Sequence, residues 1–216
     1  MKKKNTEFIY YLNQWKKKFI NSKNKIQKIK IFNILSRKEI NFLSALIDVK
    51  FQSENRNSVN RFCLLVPESV VIVPILIYKK KKFTMMVEQQ RIDEGNIALE
   101  FAAGAINRNE SIIKAAKKEV LEELKIDINK TDLKYFYKKG VRMDPAMTTS
   151  KAYFFYLIKK IDKNFFSAYK NRLSGVRNHG EFLKIKIVNF KKLKNINTSS
   201  AIIGSKFIEE KFGKIR

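Results

Sequence analysis

One cysteine, one histidine and one tryptophan stand in 216 residues, with three prolines and seven glycines. Cys63 has no second cysteine in the chain to pair with, which excludes an internal disulfide and makes the reducing cytoplasm the expected setting. Long apolar runs are missing too. The most apolar stretch, residues 70–78, falls well short of the ~20 residues a membrane helix needs and contains Pro74, so no bilayer span is expected. The basic N-terminus, MKKKNTEFIYYLNQW, is interrupted by Asn13, Gln14 and lysines and is followed by no small-residue cleavage site, so no signal peptide is read. Negative charge is scarce: 20 acidic residues face 46 basic ones, for a net charge of +26. Such an excess ordinarily suggests nucleic acid or an anionic membrane as partner. Here it is lysine scattered through every segment among abundant Asn and Ile, with arginine much scarcer. A background preference for those residues explains the charge at least as well as RNA binding, and a nucleic-acid partner is not the favoured reading.

What is present argues for a folded chain. Hydrophobic residues make up 44% and aromatic residues 12%, which excludes a largely disordered protein, and the length suffices for one domain with a small appendage. Phe8, Tyr11, Leu12, Trp15 and Phe19 have the spacing of an amphipathic helix over residues 8–20. From Ile26 the period becomes two, which predicts two strands around residues 26–31 and 42–51. The polar, turn-rich residues 53–60 read as a boundary. The expected organisation is an N-terminal helix and β-rich arm over 1–58 and a larger domain over 59–216.

In the larger domain, strands are predicted over residues 61–66, 70–78 and 83–89, with the lysines at 79–82 as a hairpin tip. A short strand over 97–101 leads into a helix, and further strands follow at 135–137, 152–158 and 182–188. Residues 165–180 read as a loop with a helical turn, and 199–212 as a closing amphipathic helix. No internal repeat is evident. Mixed strands with one helix in the middle and one at the end argue an α/β (α+β) fold with helices covering sheets.

The middle helix carries the chemistry. Ile113, Ala116, Val120 and Leu124 form an apolar stripe, so it packs on a core. Glu119, Glu122 and Glu123 share another face at spacings of three and four, where like charges repel by a few tenths of a kcal/mol per pair. A solvated Glu/Lys helix is the plain alternative. A hard divalent cation reverses the sign of the effect, because it accepts carboxylate oxygens and itself holds the phosphate oxygens of a substrate.

The order Gly104, five residues, Glu110, seven residues, then Lys118-Glu119-Val120-Leu121-Glu122-Glu123-Leu124-Lys125-Ile126 resembles the Nudix box, with Lys118 in place of the usual arginine and Lys125 in place of the usual glycine. Val87-Glu88-Gln89-Gln90-Arg91 and Leu99-Glu100-Phe101-Ala102-Ala103-Gly104 are similar to the lead-in of the ADP-ribose and ADP-sugar pyrophosphatases. His179-Gly180-Glu181-Phe182-Leu183-Lys184-Ile185 resembles a later segment of the same group, especially its plant-type ADP-sugar diphosphatases. Gln14-Trp15 and Asn41-Phe42-Leu43 are similar to that group's dimerising arm.

The resemblance implies a Nudix α/β/α sandwich with an N-terminal helix and β-hairpin dimerisation arm, and a homodimer. It also implies a Mg2+- or Mn2+-dependent diphosphatase that cleaves ADP-ribose or ADP-glucose to AMP and a sugar phosphate. Metal ligands would be Glu119, Glu122, Glu123, Glu181 and the carbonyl of Ala103. Glu123 and Glu181 are the catalytic candidates, with Glu181 completing the metal site or orienting the water. Arg91, Glu100 and His179 are substrate-binding candidates. Gly104, Glu110 and Lys118 are expected to serve the structure of the box, Gly104 by letting backbone come close to the metals. In the loop 144–151, Ala146, Met147, Thr148, Thr149 and Ser150 stand where the relatives carry glycines and acidic residues, so the sugar is left open. A Nudix enzyme acting on RNA ends or dinucleoside polyphosphates, and a non-catalytic Nudix-fold binding module, are the alternatives.

Overall fold

The structure is a computed structural model that describes residues 2–36, 42–55, 57–93, 95–176 and 182–213, with backbone alone for 2–5. The chain divides into two compact units: residues 1–68 with 107–109 and 142–152, and residues 69–106 with 110–141 and 153–216.

In the first unit, α1 (Lys2–Lys17) precedes three antiparallel strands, β1 (Lys25–Leu35), β2 (Ser44–Gln52) and β3 (Ser58–Leu65), in the order β1-β2-β3. The helix begins earlier than its apolar spacing suggests and ends at Lys17, where residues 18–21 form turns. Alternation in β2 sets the core. Ala45, Ile47 and Val49 are buried together with Phe8 and Leu12 of α1, Phe42 and Leu65, and each large side chain so buried contributes roughly 1.5–3 kcal/mol. Tyr11 stacks on Phe42 at 5.0 Å between ring centroids. Between β2 and β3, Ser53 N–H donates to the Asn57 carbonyl. Thus the segment read as the first strand of the larger domain pairs instead with β2, in register Ala45 to Leu65. Periodicity reports burial, and it carries no information on which neighbour a strand pairs with. The sheet leaves Ile31, Phe32, Leu46 and Phe62 exposed, with the Phe32 and Phe62 rings 5.7 Å apart.

The second unit is built on β4 (Ser69–Tyr78) and β5 (Lys81–Gln90). They form a hairpin whose two-residue turn, Lys79 and Lys80, has φ 44° and 65°, the left-handed pair that matches the twist of a tight hairpin. To these are added β6 (Ile97–Glu100), β7 (Ala102–Ala105), β8 (Lys134–Tyr135), β9 (Val141–Arg142), β10 (Lys151–Lys160), β11 (Leu173–Ser174) and β12 (Leu183–Asn189). The sheet order is β11-β12-β5-β4-β10-β8, with β6 on β5, β7 on β4 and β9 on β10.

Both faces of β4 are buried, as expected of a strand covered by helices on either side. One face, with Val70, Ile72 and Leu76, packs with Ala115, Ala116, Val120 and Leu124 of α2 (Ile112–Leu124). The other meets α4 (Ser199–Phe212), where a β-carbon at Gly204 would lie 2.5 Å from Phe101 and 3.2 Å from Val73. Phe207 of the same helix stacks on Phe136 at 5.5 Å. This is an α/β/α sandwich of the expected class. The loop anticipated over 165–180 holds a short helix, α3 (Lys163–Tyr169), capped by the Asp162 carboxylate accepting from Phe165 N–H at 2.9 Å. No helix among the described residues is long and apolar enough to cross a membrane.

Candidate functional site

The site grows from the ends of α2 and the strand before it. Ser111 starts the helix, its hydroxyl accepting from Lys114 N–H at 3.3 Å, which satisfies one of the otherwise unpaired first-turn amides. The helix stops at Lys125, which takes the left-handed conformation (φ 55°, ψ 31°) and donates its N–H to the Val120 carbonyl. This is the place of the box glycine, so a lysine here adopts a backbone shape that glycine takes without steric cost. Tyr169 of α3 holds the cap, its hydroxyl donating to the Lys125 carbonyl at 3.0 Å. The sequence carried no signal for that contact, because Tyr169 lies far along the chain.

Between the two caps, the apolar stripe turns inward and carries two glutamates to the core edge. Glu119 and Glu123 are each 6% exposed, while Glu122 is partly open. A buried carboxylate needs compensation. Glu123 obtains part of it from Ala103 of β7, whose N–H donates to Oε2 at 3.0 Å. Glu119 lies over Gly104. A β-carbon at Gly104 would overlap the Glu119 carboxyl carbon and Oε1, so any side chain here would push the Glu119 carboxylate from this position. Gly104 itself is fixed by pairing with Val70 of β4.

Lys118 supplies the positive charge. Its ammonium lies 3.2 Å from Glu119 Oε1 and 3.9 Å from Glu122 Oε2. Burial alone would lower the pKa of this ammonium, yet the carboxylates of Glu119, Glu122 and Glu110 hold it above the ordinary lysine value. Where the box usually has the fork of arginine, this chain has one point charge placed among the acidic groups.

Arg91, just after β5, sets its guanidinium against Glu100 at the end of β6 in a bidentate pair, Nε to Oε1 at 3.0 Å and Nη2 to Oε2 at 2.6 Å. The hydrogen bond from Glu100 raises the Arg91 pKa despite partial burial, with weaker help from Glu123 and Asp93. The β5–β6 hairpin explains the meeting: Val87 pairs with Glu100 and Gln90 with Ile97. Beside it, Lys186 of β12 pairs with Glu88 at 3.1 Å.

Of the candidates, Ala103, Gly104, Glu119 and Glu123 are brought together by β7 and α2. Glu122 and Lys118 adjoin them, and Arg91 and Glu100 form a pair of their own. His179 and Glu181 lie outside the described residues. Among the described residues, no group of three His, Cys, Asp or Glu side chains converges as a ready metal cage. The donor set is nevertheless of the right chemistry for a hard dication: carboxylate oxygens beside backbone, two of them buried with a lysine ammonium as neighbouring countercharge. Such a cation would be held by Glu119, Glu122 and Glu123 in place of the Lys118 contact.

No protein-family model matches the chain. Among curated proteins it is similar to Nudix hydrolase 14, chloroplastic, of Arabidopsis thaliana, with 26% identity over 164 residues that cover 72% of this chain and 53% of that protein. The chain thus spans about half the length of the curated relative it matches. Among solved structures its fold is similar to that of an ADP compounds hydrolase, with a TM-score of 0.58 and 19% identity over 86% of this chain and 95% of that one. The chain is thus similar in sequence to a Nudix hydrolase and in fold to an ADP compounds hydrolase.

Proposed function

We propose that the chain is a Mg2+-dependent Nudix diphosphatase that hydrolyses the pyrophosphate of an ADP-sugar, ADP-ribose or ADP-glucose, to AMP and a sugar phosphate. The observation that carries this reading is the buried pair Glu119 and Glu123 on one face of α2, seated against Ala103 and Gly104. Two carboxylates nearly removed from water are costly to keep charged, and groups held in that way cluster at functional sites.

A bound Mg2+ or Mn2+ would neutralise phosphate oxygens and lower the pKa of a water. Glu119, Glu122 and Glu123 would hold the dication, with the Ala103 carbonyl as a further ligand, and the Ala103 N–H keeps Glu123 in orientation. Glu181 takes the proton as water attacks one phosphorus and the bridging P–O bond breaks, the leaving phosphate carrying off the electron pair. His179 adjoins Glu181 in sequence and contacts substrate in this account. Arg91, held in a defined position by Glu100, offers a planar donor fork to a phosphate.

The exposed apolar residues Ile31, Phe32, Leu46 and Phe62 of the three-stranded sheet support a homodimer formed through the N-terminal arm. Light scattering at micromolar concentration should find a dimer; a monomer overturns that part. The single cysteine, Cys63, supports a cytoplasmic setting. The hydrolytic reading is tested by a panel of ADP-ribose, ADP-glucose, UDP-glucose and capped RNA, with Mg2+ and with Mn2+. AMP release from the ADP-sugars is the expected result. Preferential attack on capped RNA moves the assignment to RNA ends, and cleavage of no substrate moves it to a binding module.

A further inference from the structure

We propose that the first unit carries a ligand site of its own, a cavity of about 640 Å3 that binds a nucleoside monophosphate, its base against an aromatic wall and its phosphate against Arg61 and Arg142. The volume lies within the range of small-molecule pockets, roughly 300–1,000 Å3. The aromatic wall is Trp15, Phe19 and Phe51, with Trp15 and Phe19 edge to face at 5.0 Å. Aromatic faces of this kind accept a nucleobase by stacking.

The ionic groups of the lining are all cations: Lys18, Arg61, Arg142 and Lys151. Lys18 is paired with Glu68 at 2.9 Å. A lysine-rich chain puts lysines everywhere, so lysines alone would mean little. Arginine is the scarce cation here, yet two of the chain's nine arginines line this one cavity. The planar fork of arginine suits a phosphate better than the point charge of lysine.

One wall is held in shape before any ligand arrives. Residues 142–151 are fastened to β3 and the residue after it. Leu64 N–H donates to the Met147 carbonyl at 2.8 Å, and Thr149 N–H to the Leu64 carbonyl at 3.1 Å. The Thr149 hydroxyl accepts from Val66 N–H at 2.9 Å and donates to the Val66 carbonyl at 3.1 Å. The Asp144 carboxylate is turned onto the Ala146 and Met147 N–H groups at 3.3 Å, which ties up the acidic group of that segment. A wall already ordered loses little entropy on binding. The inference does not rest on the hydrolytic reading of the acidic helix.

The chain supplies two reporters. Its one tryptophan and its one cysteine both line the cavity, and burial pushes the Cys63 thiol pKa up, so alkylation at neutral pH is slow and any shielding is easily timed. The full-length protein in EDTA is titrated with AMP, adenosine and inorganic phosphate while Trp15 emission and the rate of Cys63 alkylation are followed. AMP is expected to change the emission and slow the alkylation several-fold. Adenosine or phosphate alone should bind at least about tenfold more weakly, because each makes half of the contacts. Arg142→Ala and Arg61→Ala, checked for fold by circular dichroism, should each shift the AMP concentration for half-maximal Trp15 and Cys63 response about tenfold upward, whereas Glu123→Gln should leave both responses where they are in the wild type. Calorimetry on the same variants gives a readout independent of Trp15. No response of either reporter to millimolar AMP overturns the proposal. So do Trp15 and Cys63 responses to AMP that survive both arginine substitutions or vanish in Glu123→Gln.

Discussion

Gly104 lies directly beneath the Glu119 carboxylate, leaving no space for a β-carbon. Strand β7 and helix α2 approach each other through this one contact and the Ala103 amide on Glu123, so the two buried carboxylates are positioned by what β7 lacks and by what its backbone offers.

Gly104→Ala is therefore expected to expel the Glu119 carboxylate from its seat while leaving the sheet register intact. Because the atoms met are the end of a flexible side chain that can move aside, the stability cost is small, about 1 kcal/mol or less, and Tm falls by no more than a few degrees. The diphosphatase rate should fall about a hundredfold or more, since a ligand displaced by an ångström is a ligand lost. Paired Tm and AMP-release measurements check it. A fully active, fully stable variant would mean that Glu119 does not need this position.

The Lys118 ammonium is 3.2 Å from Glu119 and 3.9 Å from Glu122, so a dication taken up by those oxygens would have to displace it. Lys118→Met removes the competing charge but keeps most of the stem. The Mg2+ concentration for half-maximal activity should drop several-fold, a modest figure because the ammonium is partly exposed and screened. A metal titration of wild type and variant decides. An increased requirement would show that the lysine supports the metal site.

Lys125 carries a left-handed backbone at φ 55°, where a side chain costs about 1 kcal/mol relative to glycine. Lys125→Gly loses part of that gain through a more flexible unfolded chain. The net expectation is stabilisation by at most about 0.5 kcal/mol, read as a small upward shift in the urea midpoint at constant m-value.

Much of this was legible beforehand because it is local. The acidic helix, its apolar stripe and the strand ending at Glu100 follow from spacing within a few residues, and α2 and β6 stand where those spacings put them. The basic tip at residues 79–82 was legible as a hairpin, though its turn is confined to Lys79 and Lys80. Contacts that join distant segments were not legible. The sequence does not announce that β3 would pair with β2, that residues 142–152 would belong with the N-terminal unit, or that Tyr169 would hold Lys125. Gly104 shows the middle case. Its glycine was expected from close approach to metals, and the neighbour it meets in the fold is the Glu119 side chain. The candidates His179 and Glu181 lie outside the described residues, so their roles rest on the resemblance of the segment that carries them.

The most direct test of the central claim compares wild type with Glu123→Gln for AMP release from ADP-ribose and ADP-glucose in Mg2+. The amide keeps the shape of the side chain, and its oxygen can still accept from the Ala103 N–H, but it removes the charge that would hold a dication. The account predicts turnover reduced by orders of magnitude with the circular-dichroism spectrum unchanged. Unchanged turnover in Glu123→Gln would contradict it.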